Sequence, residues 1–162
     1  MSVRFSDLEI EELVKERKLL PNEWQQKLVL RQRRISDEGR LEIGGEKGTF
    51  VIILRQSRHD KSNFCASLGL LPLHSNRIFC LRRYNGGNSS HHNRLERTIA
   101  PQFHIHKATE AYQSVGADEC RFAEDAKGRF CDLERARKCL FEDCNVRESE
   151  NGQRHMEFDK RR

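Results

Sequence analysis

Apolar positions in the first part of the chain recur at helical spacing. Ser6-Asp7-Leu8-Glu9 has the form of a capping box, a serine N-cap with glutamate three residues on, and predicts a helix running to about Lys18. Leu8, Leu13 and Leu20 are its apolar positions, and Pro21 ends it. Asn22 can cap a second helix in which Trp24, Leu28 and Ile35 fall near one side, with Arg31, Arg33 and Arg34 along the rest.

The pattern then changes from helical to extended. Leu41-Glu42-Ile43 alternates and stops at Gly44-Gly45, and Thr49–Leu54 is dense in β-branched residues. Phe64–Leu71 and Arg77–Tyr84 are two more strands, separated by polar turns too short for crossover helices. Asn85–Ser90 is a glycine- and serine-rich loop. Phe103-His104-Ile105-His106 alternates as a further strand, and Ala108–Gln113 favours a helical turn or two. Asp118–Gly128 reads as irregular. Asp132 can cap a last helix to about Asp143, with Leu133, Ala136, Leu140 and Cys144 as its buried stripe. His155–Phe158 is a candidate edge strand in a charged tail.

These elements predict an α+β fold. An antiparallel meander of about four to five strands carries helices on one face, preceded by two N-terminal helices. The divisions expected are a helical segment 1–36, an α+β domain 37–146 and a charged tail 147–162, folding as one unit.

Composition narrows the function classes. The 162 residues are enough for a core without staples, and no apolar run is long enough to cross a bilayer. The N-terminal segment lacks the apolar stretch of a secretory signal, so the expectation is a soluble, cytoplasmic protein without a membrane partner. The six cysteines are then expected to be reduced; no C-x-x-C suggests a zinc site. The net charge is +5, from 30 Lys and Arg against 25 Asp and Glu, which admits either an anionic partner or a solvated basic surface.

Candidate chemistry concentrates in one region. His91, His92, His104 and His106 lie within sixteen residues, with Glu96 between them. Alternation places His104 and His106 on one sheet face, where two imidazoles can act as an acid–base pair, ligate a metal, or simply be a hydrogen-bonded structural pair. Arg82-Arg83-Tyr84 closes a strand beside the glycine-rich loop. Arginine with an adjacent aromatic suits a phosphate and a stacked base, and equally suits a strand edge protected by charge. No phosphate-binding loop, dinucleotide fingerprint, nucleophile elbow or HExxH motif is present, so no cofactor or resident metal is called for.

The segments Gly69-Leu70-Leu71-Pro72, Leu81-Arg82-Arg83-Tyr84-Asn85-Gly86, His92-Asn93-Arg94-Leu95-Glu96 and Phe103-His104-Ile105-His106-Lys107-Ala108-Thr109-Glu110-Ala111-Tyr112-Gln113 together resemble a family of small bacterial proteins known only as a domain of unknown function. The likeness covers roughly residues 40–146. Glu96-Arg97 departs from it where an acid followed by glycine is expected. The resemblance implies no activity.

Two hypotheses follow. In the first, the protein binds nucleic acid, RNA in preference to DNA, with a metal-independent ribonuclease of toxin–antitoxin type as its catalytic form. His104 and His106 are then acid and base, Glu96 orients a histidine, and Arg82, Arg83, Tyr84 and His92 hold the nucleic acid. In the second, it is a non-enzymatic interaction module, such as a mobile-element inhibitor or a subunit of a phage-defence complex, partnered by a protein such as an antitoxin. Convergence of His104, His106, His92 and Glu96 in one open cleft favours the first; burial or dispersal favours the second.

Overall fold

The computed structural model describes residues 3–87 and 89–149. Helix α1 (Asp7–Lys15) begins as its sequence dictates: the Ser6 hydroxyl accepts from the Glu9 N–H, and the Glu9 carboxylate accepts from the Ser6 N–H. It buries Ile10, Leu13 and Val14. Strand β1 (Lys18–Leu20) follows, then one turn of helix, α2 (Trp24–Lys27).

A long second helix does not form, and the packing shows why. Glu23 takes a left-handed conformation at φ 60° and its side chain caps nothing. Beyond Leu28 the chain is laid along the sheet, so close that a side chain on Gly39 would meet the Leu28 carbonyl at 2.5 Å. Leu28 is buried, whereas Ile35 is 76% exposed, so the two do not share a stripe.

From here the chain is mostly extended, through β2 (Arg31–Gln32), β3 (Ser36–Gly44), β4 (Gly48–Ser57), β5 (Phe64–Pro72) and β6 (Phe79–Asn85). A separate hairpin, β7 (His91–Asn93) and β8 (Thr98–Ala100), precedes β9 (His104–Lys107). After α3 (Glu110–Ser114) come β10 (Phe122–Asp125), α4 (Leu133–Asp143) and β11 (Val146–Glu148). The main sheet is antiparallel, in the order β10-β9-β6-β5-β4-β3-β2.

The α+β class and the antiparallel sheet stand. The sheet has seven strands rather than four or five, because β2 and β10, of two and four residues, are too short to show an alternating pattern in the sequence. The segment 1–36 is not all helix, since it also holds β1, β2 and the first residue of β3, and β1 pairs in parallel with β11, which holds the tail's first residues in place. His155–Phe158 lies outside the described residues.

Helices α1 and α4 contribute to one core with the sheet face bearing Phe50, Ile52, Leu54, Phe64, Leu68, Tyr84 and Ile105. Asp132 caps α4 by accepting from the Arg135 N–H, and Leu133, Ala136, Leu140 and Cys144 are all buried as the helical period requires. No helix among the described residues is long and apolar enough to cross a membrane.

Candidate functional site

Because side chains alternate along β9, Ile105 joins the core while His104 and His106 point to the opposite sheet face. Both histidines are only 6% exposed. Across the ladder, Arg83 stands opposite His106 and Asn85 opposite His104. The β7–β8 hairpin lies over this end of the sheet and brings in a third imidazole. The His91 ring centre is 4.7 Å from that of His106 and 5.8 Å from that of His104.

The hairpin is fastened by Asn93, whose amide accepts from the Ala123 N–H at 2.8 Å and donates to the Ala123 carbonyl at 2.6 Å. A buried side chain thus takes the place of a neighbouring strand on the outer edge of β10. Asn93→Ala is expected to leave both Ala123 groups unpaired and cost about 1–3 kcal/mol. Amide hydrogen exchange is the check: the Ala123 N–H should exchange much faster, while amides of β4 and β5 should not change.

The hydrogen-bond network fixes the tautomers. A carbonyl can only accept, so His104 Nδ1, 2.7 Å from the Pro101 oxygen, carries a hydrogen. In a neutral ring its Nε2 is then an acceptor. It lies 3.1 Å from His106 Nε2, which donates to it. His106 Nδ1 is left as a lone pair and makes no well-formed hydrogen bond among the described residues, while the Cys120 carbonyl lies near enough to act on the ring. Burial, reinforced by Arg83, His104 and His91, pulls the His106 pKa down to about 3. Burial is also the main cause lowering that of His91, whose Nε2 is 2.7 Å from the Arg121 carbonyl.

The other candidate residues are elsewhere. His92 is exposed and faces away from the ring cluster, opposite Ile99 in the hairpin. Glu96, in the hairpin turn, accepts from the Tyr112 hydroxyl at 2.7 Å. Tyr84 is completely buried on the helix side and donates to Asp143 at 2.7 Å, so its ring has no free face for a base. Arg82 shares that side, beside Tyr84 and Asp143. Of Arg82, Arg83 and Tyr84, only Arg83 is on the histidine face, where its Nη2 donates to the Cys120 carbonyl at 3.2 Å and lies 3.5 Å from Asp118.

His91 belongs to the histidine-rich stretch of the sequence but was given no role there, because no strand was predicted over His91-His92-Asn93 to give its side chains a direction. Read as a strand, its alternation sends His91 and Asn93 inward and His92 outward. Among the described residues, no three His, Cys, Asp or Glu side chains form a group arranged to hold a metal ion.

The His106 imidazole is enclosed and hydrogen-bonded to His104, which is bonded in turn to the Pro101 carbonyl. No family model, characterised protein or solved structure matches the chain.

Proposed function

We propose that this protein is a non-enzymatic interaction module and that its partner is a protein. The observation that carries this reading is the fate of the four acid–base candidates. His104 and His106 are enclosed and hydrogen-bonded to each other, while His92 and Glu96 lie on the outside of the hairpin.

A docking surface of suitable character lies on that same hairpin. Leu95 and Ile99 are 45% and 64% exposed, and Val115, just after α3, is 60% exposed. The Leu95 N–H donates to the Tyr112 hydroxyl, which ties the hairpin turn to α3. Arg94 and Arg97 flank the apolar side chains. Exposed apolar residues rimmed by arginine suit a partner surface that is apolar and acidic.

The test places a photo-crosslinking residue at Ile99 in cells that naturally express the protein. One discrete protein adduct is expected, and it should disappear with Leu95→Asp while the purified variant keeps its melting temperature. Specific RNA cleavage by the purified protein, lost in His106→Ala, would overturn the reading.

Nucleic-acid binding is a second reading, and one observation favours it. The Arg58 guanidinium donates to the Arg33 and Arg34 carbonyls and so holds together a turn with Arg31, Arg33 and Arg34 all exposed. If that surface binds RNA, affinity should fall steeply with salt, and Arg33→Glu with Arg34→Glu should abolish it. Retention assays across a salt series decide the matter.

A further inference from the structure

Three buried side-chain atoms lack a hydrogen-bond partner among the described residues: Arg83 Nε, Asn85 Oδ1 and His106 Nδ1. They belong to adjacent strands on one sheet face, Arg83 opposite His106 and Asn85 opposite His104. Buried polar atoms are nearly always paired, so three orphans in one place call for a missing partner.

Arg83 brings the positive charge to this place, beside three imidazoles, and its field acts on His106. The carboxylates nearby are spoken for: Asp118 lies 3.5 Å from the Arg83 Nη2, and Asp125, the register partner of His104, accepts from the Lys127 N–H. The thiols of Cys65, Cys80 and Cys120 lie around Arg83, and Ser67 is its partner on β5. Lys107 and Glu124 pair with each other, each on the strand position next to a histidine-face residue and so on the opposite face.

We infer that this is an oxyanion site, in which one phosphate- or sulfate-type group accepts hydrogen bonds from Arg83 Nε–H and His106 Nδ1–H and enters together with one proton taken up by the His104–His106 pair. The proton follows from counting hydrogens. The chain of bonds ends at the Pro101 carbonyl on one side and at the anion on the other, and both ends can only accept. The pair must then hold a hydrogen on His104 Nδ1, one between the two Nε2 atoms and one on His106 Nδ1. Two neutral imidazoles bring two hydrogens; the third is the proton. The incoming negative charge offsets it, and Arg83 supplies a charge-assisted bond. Asn85 serves either kind of oxygen, through its carbonyl to a P–OH or through its amide hydrogens to a bare oxygen.

The Cys120 carbonyl, now the acceptor for Arg83, is the group the anion replaces. Its loop is exposed from Ser114 to Asp118. The atoms concerned are buried, which argues for a small free oxyanion and against a phosphodiester flanked by two nucleosides. This inference is independent of the proposed docking surface.

The experiment is calorimetric titration of the full chain with sodium sulfate, which carries no titrating proton near neutrality, and with inorganic phosphate. It is run from about pH 5.5 to about pH 7.5 in buffers of differing ionisation heat. The expected result is one saturable site that takes up about one proton per sulfate and weakens by up to about tenfold per pH unit as pH rises. Arg83→Gln should abolish binding. Arg83→Lys, which keeps the charge but has no Nε–H, should weaken it at least about tenfold, so the inference remains testable if the glutamine variant fails to fold. Inorganic phosphate should compete with sulfate and a short single-stranded RNA should not. Absence of saturable binding at millimolar sulfate, binding without proton uptake, indifference to both Arg83 substitutions, or displacement of sulfate by RNA would each overturn it. The last of these would leave the crosslinking test of the docking surface unaffected.

Discussion

Replacing Lys18 with methionine is expected to cost about 3–5 kcal/mol of folding stability, the largest effect of any single polar substitution considered for this chain. Lys18 is completely buried. Its ammonium donates to the carbonyls of Leu13 at 2.9 Å, Val14 at 3.0 Å, Glu16 at 2.7 Å and Cys144 at 2.9 Å. The first three belong to the end of α1 and the fourth to the residue that ends α4. Helix C-termini present unpaired carbonyls and a partial negative charge, so one cation satisfies two of them at once. The charge also lies 4.4 Å from the centre of the Phe50 ring. Burial draws the amine down to about 8, still above neutrality, so it is charged under ordinary conditions. Methionine keeps the stem and takes the donor from four carbonyl oxygens, those of Leu13, Val14 and Cys144 buried and that of Glu16 partly so. Urea unfolding at neutral pH is the measurement, with a fall in melting temperature of about 10 °C as the parallel reading. A loss below about 1 kcal/mol would mean that water can reach and satisfy those carbonyls.

The second large effect is a loss of stability in mild acid that can be traced to His106. Its pKa is lowered to about 3 in the folded protein, against about 6.5 for an unfolded chain. Between those values the unfolded state binds the extra proton and the folded state does not. Stability therefore rises with pH from about 3 to about 6.5 and is fully present above that window. Going from about pH 7.5 to about pH 5 should remove about 2 kcal/mol through this residue alone, with His91 adding in the same direction. Urea titrations at the two pH values, in chloride buffers free of sulfate and phosphate, measure it. His106→Gln should lose most of that difference. An unchanged pH dependence in the variant would show that protonation of His106 does not govern acid stability.

How much was legible in the sequence depended on whether a segment's partner was local. The α1 capping box and the Asp132 cap bond within their own first turns, so the residues alone specify them. The strands over Thr49–Tyr84 announced themselves by β-branched runs and short turns, which leave little but antiparallel pairing. Strands β2 and β10 stayed hidden because runs of two and four residues, half or more of them polar, are too short to show an alternating pattern. The histidine face was half legible: alternation put His104 and His106 together, but nothing in the sequence shows that a hairpin will cover them.

The sequence by itself determined the α+β class, the helix caps of α1 and α4, the buried stripe of α4 and the shared face of His104 and His106, because each rests on spacing along one element. The tertiary structure alone decided which charges are inside. Lys18 reads as the exposed end of a helix and becomes a buried cation bridging two helix ends. Tyr84 reads as a base-stacking ring and becomes core. Adjacent in sequence, Arg82 and Arg83 are sent to opposite faces of the sheet. His91, not His92 or Glu96, completes the imidazole cluster. The physical reason is common to all of them. Whether a polar side chain is solvated or enclosed depends on acceptors and apolar walls supplied by residues far away in the chain, and that pairing exists only once the sheet has closed and the hairpin and helices have packed against it.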